Sequence, residues 1–168
     1  MSHIRYADSN DAKTLGEIHS ASWREAYKGI IPDEILNSIT PEKREAYFRR
    51  ALTEGWEEDA IIFNESQALG LISIGKSRDL DQLDDCGEIW GIYLLPEYWN
   101  LGIGSKLIDW GINELKKRSY THISLWVLEE NMTARRFYER KGFIHDGTKK
   151  AIRIGIDLTE IRYDYLIP

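Results

Sequence analysis

The chain has 168 residues, 42% of them hydrophobic and six of them tryptophan, so it can bury one sizeable core and is expected to form a single domain, 1–168. A formal charge of −6 and a pI near 5.3 argue against a broad phosphate-neutralising surface, and no local basic patch replaces one, so no nucleic-acid partner is expected. The single cysteine, Cys86, excludes an intramolecular disulfide, and His3, His19, His122 and His145 lack metal-ligand spacing, so no metal is expected. The first residues, "MSHIRYADSND", show no basic stretch followed by an apolar one, and no run of about 18 apolar residues occurs anywhere. A soluble, cytoplasmic protein with no membrane partner is the expectation.

In chain order, "HIRYA" alternates and predicts a strand, and "DSNDAKTLGEIHSASWREAY" spaces Leu15, Ile18, Ser22 and Ala26 at helical intervals behind candidate caps at Asp8 and Ser9. "GIIPDEILNSI" reads as a break and a short helix. Thr40 and Pro41 make an N-cap and first-turn pair for a helix running to about Gly55. Two strands follow, "DAIIFN" and "ALGLISIGKS", joined by an "ESQ" turn. The acidic "RDLDQLDDC" lacks periodicity, and "GEIWGIYLL" is a strand stopped by Pro96. Ile108, Gly111, Ile112 and Leu115 carry a helix to about Ser119, "HISLWVL" is a strand, and "NMTARRFYERKG" is a helix ending at Gly142. Two strands close the chain, at about 143–152 and 158–167, which gives a mixed α/β arrangement.

The stretch "PEYWNLGIGSKLIDW" places Gly102 and Gly104 between a strand end and a helix start. Backbone N–H groups there lack intrahelical partners and lie at the positive end of the helix dipole, which makes an anion site, and glycines let a phosphate approach the backbone. The pattern is neither G-x-x-x-x-G-K-[ST] nor G-x-G-x-x-G, because Leu107 occupies the last place of the latter. Nucleoside-triphosphate and dinucleotide sites therefore fit poorly.

"WNLGIG" after the strand, followed downstream by Asn131, Ala134, Tyr138, Gly142 and Phe143 in the spacing N-x-x-A-x-x-x-Y-x-x-x-G-F, resembles the GNAT superfamily of N-acetyltransferases. The resemblance covers about 88–143, with "SWREAYKGIIP" a looser match to a subset of small members. It implies a mixed, mostly antiparallel sheet splayed between its fourth and fifth strands, with helices on both faces and acetyl-coenzyme A, the expected cosubstrate, in the splay. The coenzyme pyrophosphate would lie on the loop of Trp99, Asn100, Leu101, Gly102, Ile103, Gly104 and Ser105. One departure stands out: Trp99, Asn100 and Leu101 occupy places where the family favours Gln or Arg, Gly and Lys, so a cationic contribution is missing. Lys106, Arg135, Arg136 or Lys141 are the candidates to supply it.

The resemblance also implies the chemical roles. Acetyl transfer to an amine needs the ammonium deprotonated, the thioester carbonyl polarised and the departing thiolate protonated. Tyr138 matches the family's acid, with a half-buried core aromatic as the alternative, Glu88 the base that works through water, with a solvent-facing strand-end carboxylate as the alternative, and the Leu94 backbone N–H the donor to the thioester oxygen. Asn131 would bond the pantetheine arm, although an N-cap role suits it equally. The acceptor, a small-molecule or peptide amine, would meet Trp23, Tyr27 and Trp90; core packing at i, i+4 competes as an explanation of Trp23 and Tyr27. Asp79, Asp81, Asp84, Asp85 and Glu88 crowd the segment before the coenzyme strand and could steer a cationic amine. The expected activity is direct acetyl transfer to a primary amine, its rival is a catalytically silent acetyl-coenzyme A-binding module, and a homodimer is compatible with either.

Overall fold

The computed structural model describes residues 1–168. After β1 (Ser2–Tyr6), Asp8 accepts from the Asn10 N–H while Asp11 accepts from the Asp8 N–H, a reciprocal cap that opens a 3₁₀ turn at Ser9–Asp11 and leads into α1 (Ala12–Ala26). The short α2 (Asp33–Ser38) follows, and then α3 (Pro41–Glu54), whose Thr40 hydroxyl accepts from the Lys43 N–H as the Thr-Pro pair requires. β2 (Glu58–Asn64), β3 (Gln67–Lys76) and β4 (Cys86–Leu94) form an antiparallel arm with β1. Beyond a 3₁₀ turn at Pro96–Tyr98 come α4 (Ile103–Lys117), β5 (His122–Leu128), α5 (Met132–Arg140), β6 (Ile144–Ile154) and β7 (Ile156–Leu166).

The seven strands make one sheet in the order β1-β2-β3-β4-β5-β7-β6, antiparallel everywhere except between β4 and β5. That parallel pair is short. Only Cys86↔His122, Gly87↔Ile123 and Glu88↔Ser124 are in register, after which the strands separate and the sheet opens. A bulge sharpens the separation: Ser73 pairs with Gly91 and Ile74 with Ile89, so Trp90 is an extra residue that bends β4.

Helices cover both faces, as the resemblance implied. The α4 residues Leu107, Ile108, Ile112 and Leu115 pack with Ile62, Ile72, Ile74, Ile123 and Leu125 on one face. On the other, Ala12, Leu15 and Ile18 of α1 and Phe48 of α3 pack on Ile61 and Leu71. The alternation of Ile61 and Ile62 to opposite faces follows from the period of two. A third group, Ile31, Leu36, Leu128 and Leu158, seats α2 on the β5–β7 arm. β6 and β7 run longer than their apolar patterns suggest, because Gly155 turns the chain tightly and lets Ile154 pair with Ile156. No helix is long and apolar enough to cross a membrane.

Candidate active site

The opening between β4 and β5 leaves the β4 edge from Ile89 to Leu94 without a strand partner on that side. Leu95 donates its N–H to Leu69 O on β3 at 2.9 Å, so alternation turns the Leu94 N–H toward the opening. At the mouth, Asn100 (φ 60) and Gly102 (φ 78) are both left-handed, which curls the loop so that successive N–H groups point outward ahead of α4. The two glycines do different jobs. A Cβ on Gly102 would meet nothing within 4 Å, so its surroundings are open, whereas one on Gly104 would touch Leu94 and Phe137 at 3.4 Å. Gly102 permits the turn; Gly104 lets α4 start close against β4 and α5. Trp99, in the place where a cation or glutamine is usual, donates its indole N–H to Leu94 O at 3.0 Å and pins the loop to the strand end.

The expected cationic helpers are mostly engaged. Lys106 donates to Ser2 Oγ, Lys141 pairs with Asp109, and Arg135 donates to Glu129 O and the Tyr163 hydroxyl. Arg136 is exposed and makes no ion pair. Asn131 caps α5 by accepting from the Ala134 N–H at 3.2 Å, and its amide NH₂ has no protein partner.

Glu88 sits at the vertex of the opening and is 1% exposed. Its Oε1 accepts from the Arg78 backbone N–H at 3.0 Å, and Oε2 accepts from Arg78 Nε at 3.2 Å and from Nη2. About four lone-pair sites exist on a carboxylate, so roughly one remains. The Arg78 guanidinium lies 4.3 Å from the Trp90 ring centre, and the Trp90 indole donates to Lys76 O. No local pattern points to this clasp, since Arg78 stands ten residues away in an irregular loop.

Three tyrosines, Tyr27, Tyr93 and Tyr138, lie near one another. Burial, followed by the nearby Tyr93, Tyr138 and Glu160, raises the Tyr27 phenol well above its ordinary range. Burial, then Tyr93, raises Tyr138 likewise, so it stays protonated across the working pH range; it makes no hydrogen bond within the protein. Trp23 meets Tyr27 edge-on at 4.7 Å, and both pack against the third apolar group, so core packing accounts for part of their role.

The acidic loop is not a free negative surface. Asp79 accepts from the Trp126 indole and from Arg162, Asp81 accepts from Arg162 at 2.7 and 2.8 Å, Asp84 pairs with Lys76, and Asp85 accepts from Thr121. Four of the five carboxylates thus pair with a cation, Asp79 and Asp81 sharing Arg162, which removes most of the field expected to steer an amine. Cys86 is buried, and burial raises its thiol. No three His, Cys, Asp or Glu side chains converge as a metal site.

Sequence reasoning missed a polar cavity of about 120 Å³ beside β4, walled by Trp90, Gly91 and Tyr93 and on its other sides by His19, Arg44, Tyr47, Phe48, Glu57, Ser73 and Arg78. Burial, then Arg44, lowers the His19 imidazole to about 3, so it is neutral, and its Nδ1 has no partner. Asp59, 1% exposed, has no partner on either oxygen; burial, then the adjacent Glu57, raises its carboxyl. These residues are scattered over α1, α3, β2, β3, β4 and the loops before β2 and after β3, and no spacing in the sequence unites them.

Comparison with known proteins agrees with this geometry. Residues 16–143 match the model of the Acetyltransferase (GNAT) family. The chain is 30% identical over 135 residues to the uncharacterised N-acetyltransferase YuaI of Bacillus subtilis, covering 78% of this chain and 74% of the relative. It is 28% identical over 145 residues to a spermidine N(1)-acetyltransferase of Thermoplasma acidophilum, covering 83% and 86%. Among solved structures, PaiA N-acetyltransferase of Thermoplasma acidophilum in complex with coenzyme A superposes with a TM-score of 0.78 at 24% identity over 98% of this chain and 99% of that one. With the splayed sheet and the glycine loop in place and most of the chain matched, this protein belongs to the GNAT family of acetyl-CoA-dependent acetyltransferases.

Proposed function

We propose that the protein moves the acetyl group of acetyl-coenzyme A directly to a primary amine of a small molecule or peptide. The observation that carries this is the unpaired β4 edge running straight into the curled loop at the α4 N-terminus. An extended arm with amide groups fits the edge as an added strand does, and a pyrophosphate fits the outward N–H groups. The fold match to PaiA, a coenzyme A complex, supports the same placement, with Asn100 to Ser105 around the phosphates and the free Asn131 amide beside the arm.

Acetyl-coenzyme A supplies an activated acyl group and a thiolate leaving group. The Leu94 N–H bonds the carbonyl oxygen as negative charge develops there. Tyr138, kept protonated by burial, donates its proton to the departing sulfur. Glu88 receives the proton of the acceptor ammonium through water on its remaining lone pair, while Arg78 holds the carboxylate in place. Trp90 and the Trp23–Tyr27 pair border the acceptor's approach. The relative named for spermidine makes polyamines one class to test beside amino acids and peptides.

Two measurements test this. Acetyl-coenzyme A should raise the melting temperature in proportion to the logarithm of its concentration, and thiol release should depend on an added amine. An unshifted melting temperature would refute the coenzyme site; a shift without amine-dependent thiol release would leave only a coenzyme-binding module.

A further inference from the structure

The cavity beside β4 carries an uncommon balance of charge. Arg78 is answered by Glu88, and His19 is neutral. Two oppositely charged groups on the wall make no ion pair within 4 Å, either with each other or with a third residue. One is Arg44: its guanidinium lies over the Tyr47 and Phe48 rings at 4.3 and 5.1 Å, and its buried Nε has no partner. The other is Glu57, whose oxygens accept only from the hydroxyls of Tyr47 and Ser73, at 2.7 and 3.0 Å. Asp59 behind them is held toward its neutral form by burial and by Glu57, so it leaves this count unchanged.

A cation alone would answer Glu57 and leave Arg44 unpaired beside it, and an anion alone would do the reverse. A ligand with both charges close together answers both. The volume, about 120 Å³, is enough for an ammonium–carboxylate head group. His19, whose buried Nδ1 has no partner, forms part of the wall of the same space. Because Trp90, Gly91 and Tyr93 form one wall, a chain leaving the cavity passes along β4, where the acetyl group would lie.

We infer that this cavity binds the ammonium–carboxylate head of a free amino acid, carboxylate toward Arg44 and ammonium toward Glu57, and that the amine acetylated is the one at the end of its side chain. This rests on the acetyl transfer proposed above and names its acceptor class.

The experiment titrates ornithine and lysine calorimetrically into the protein with coenzyme A present. Each is compared with the diamine of the same chain that lacks the carboxylate, putrescine or cadaverine, and thiol release is followed with the same four compounds. At least one amino acid should bind about 10- to 100-fold tighter than its diamine, the usual worth of a charged hydrogen bond. Arg44→Gln should erase that preference while leaving diamine binding within about twofold, and Arg44→Lys should restore part of it. Since Arg44 has no hydrogen-bond partner, the substitution orphans nothing, and an unchanged melting temperature will confirm folding. Diamines binding as well as both amino acids, or an Arg44→Gln variant that weakens both classes equally, would overturn the inference. Amino acids that bind with this Arg44 dependence but release no thiol would support the cavity's ligand and refute the acetyl transfer instead.

Discussion

Tyr138→Phe separates a chemical role from a packing role, because the two predict opposite pairs of results. The ring is 8% exposed and its hydroxyl bonds nothing in the protein. Removing that oxygen therefore orphans no partner, and the oxygen is not among the fully buried unpaired atoms, so it is open to solvent in the groove. The variant should be as stable as the parent to within about 1 kcal/mol, or roughly 2–4 °C for a chain of this size. A general acid contributes about 10²- to 10⁴-fold, so kcat should fall by that factor while coenzyme affinity holds. Tyr163→Phe is the internal control. Its ring centre lies 6.4 Å from that of Tyr138, but its hydroxyl donates to Glu139 at 2.7 Å and accepts from Arg135 at 3.2 Å. Losing it should cost about 1–3 kcal/mol of stability with little change in kcat. Thermal scans, coenzyme titration and thiol release on both variants give the comparison. Parental turnover by Tyr138→Phe, or a stability loss matching that of Tyr163→Phe, would refute the assignment.

Asp59→Asn should raise the melting temperature at neutral and alkaline pH but not near pH 4: a carboxyl raised in the folded state stabilises below its unfolded value of 3.8, and that contribution is lost as pH climbs toward the folded value. Matching pH profiles for variant and parent would contradict this. Gly104→Leu should lower the melting temperature even without coenzyme, because its Cβ already meets Leu94 and Phe137; a loss of coenzyme response alone would mean that the glycine serves only phosphate access. With most of the acidic loop paired, kcat/KM for a cationic amine should change less than about threefold between roughly 0.05 and 0.5 M salt, and a steep decline would restore electrostatic steering.

Local signals made most of the fold legible. The Thr40–Pro41 cap, the alternation in "HISLWVL" and the period of Ile108, Gly111, Ile112 and Leu115 each depend on neighbours in the chain, and each element formed where its pattern predicts. The bulge at Trp90 depends on β3 pairing and has no local marker. The candidate site divides in the same way. The anion loop was readable because backbone conformation near two glycines is a local property, although only the packed structure shows that Gly104 faces protein rather than open space. The Arg78 clasp, the neutralised loop and the cavity of Arg44 and Glu57 are tertiary pairings between residues that the sequence holds far apart.

The groove's width rests on such pairings rather than on the strand ladder. Only three residue pairs join β4 to β5, so backbone bonding alone would let the two arms of the sheet hinge at Glu88. Two adjacent residues of the loop between β3 and β4 oppose that. Arg78 holds Glu88 on one arm, and Asp79 reaches the Trp126 indole on β5 and Arg162 on β7 on the other. Arg162 is 6% exposed and collects Asp79 and Asp81 at 3.2 and 2.7 Å, which fixes the loop to the far arm, while Asp146 of β6 at 2.6 Å holds the guanidinium itself. A guanidinium suits this position because its planar donors serve several carboxylates at once, and removing it would leave three carboxylates facing one another. Asp79 and Asp81 thus act as a brace and not as a lure for substrate: Arg162 neutralises their charge, and what they set is the distance between the strand that would present the acetyl group and the arm that faces it.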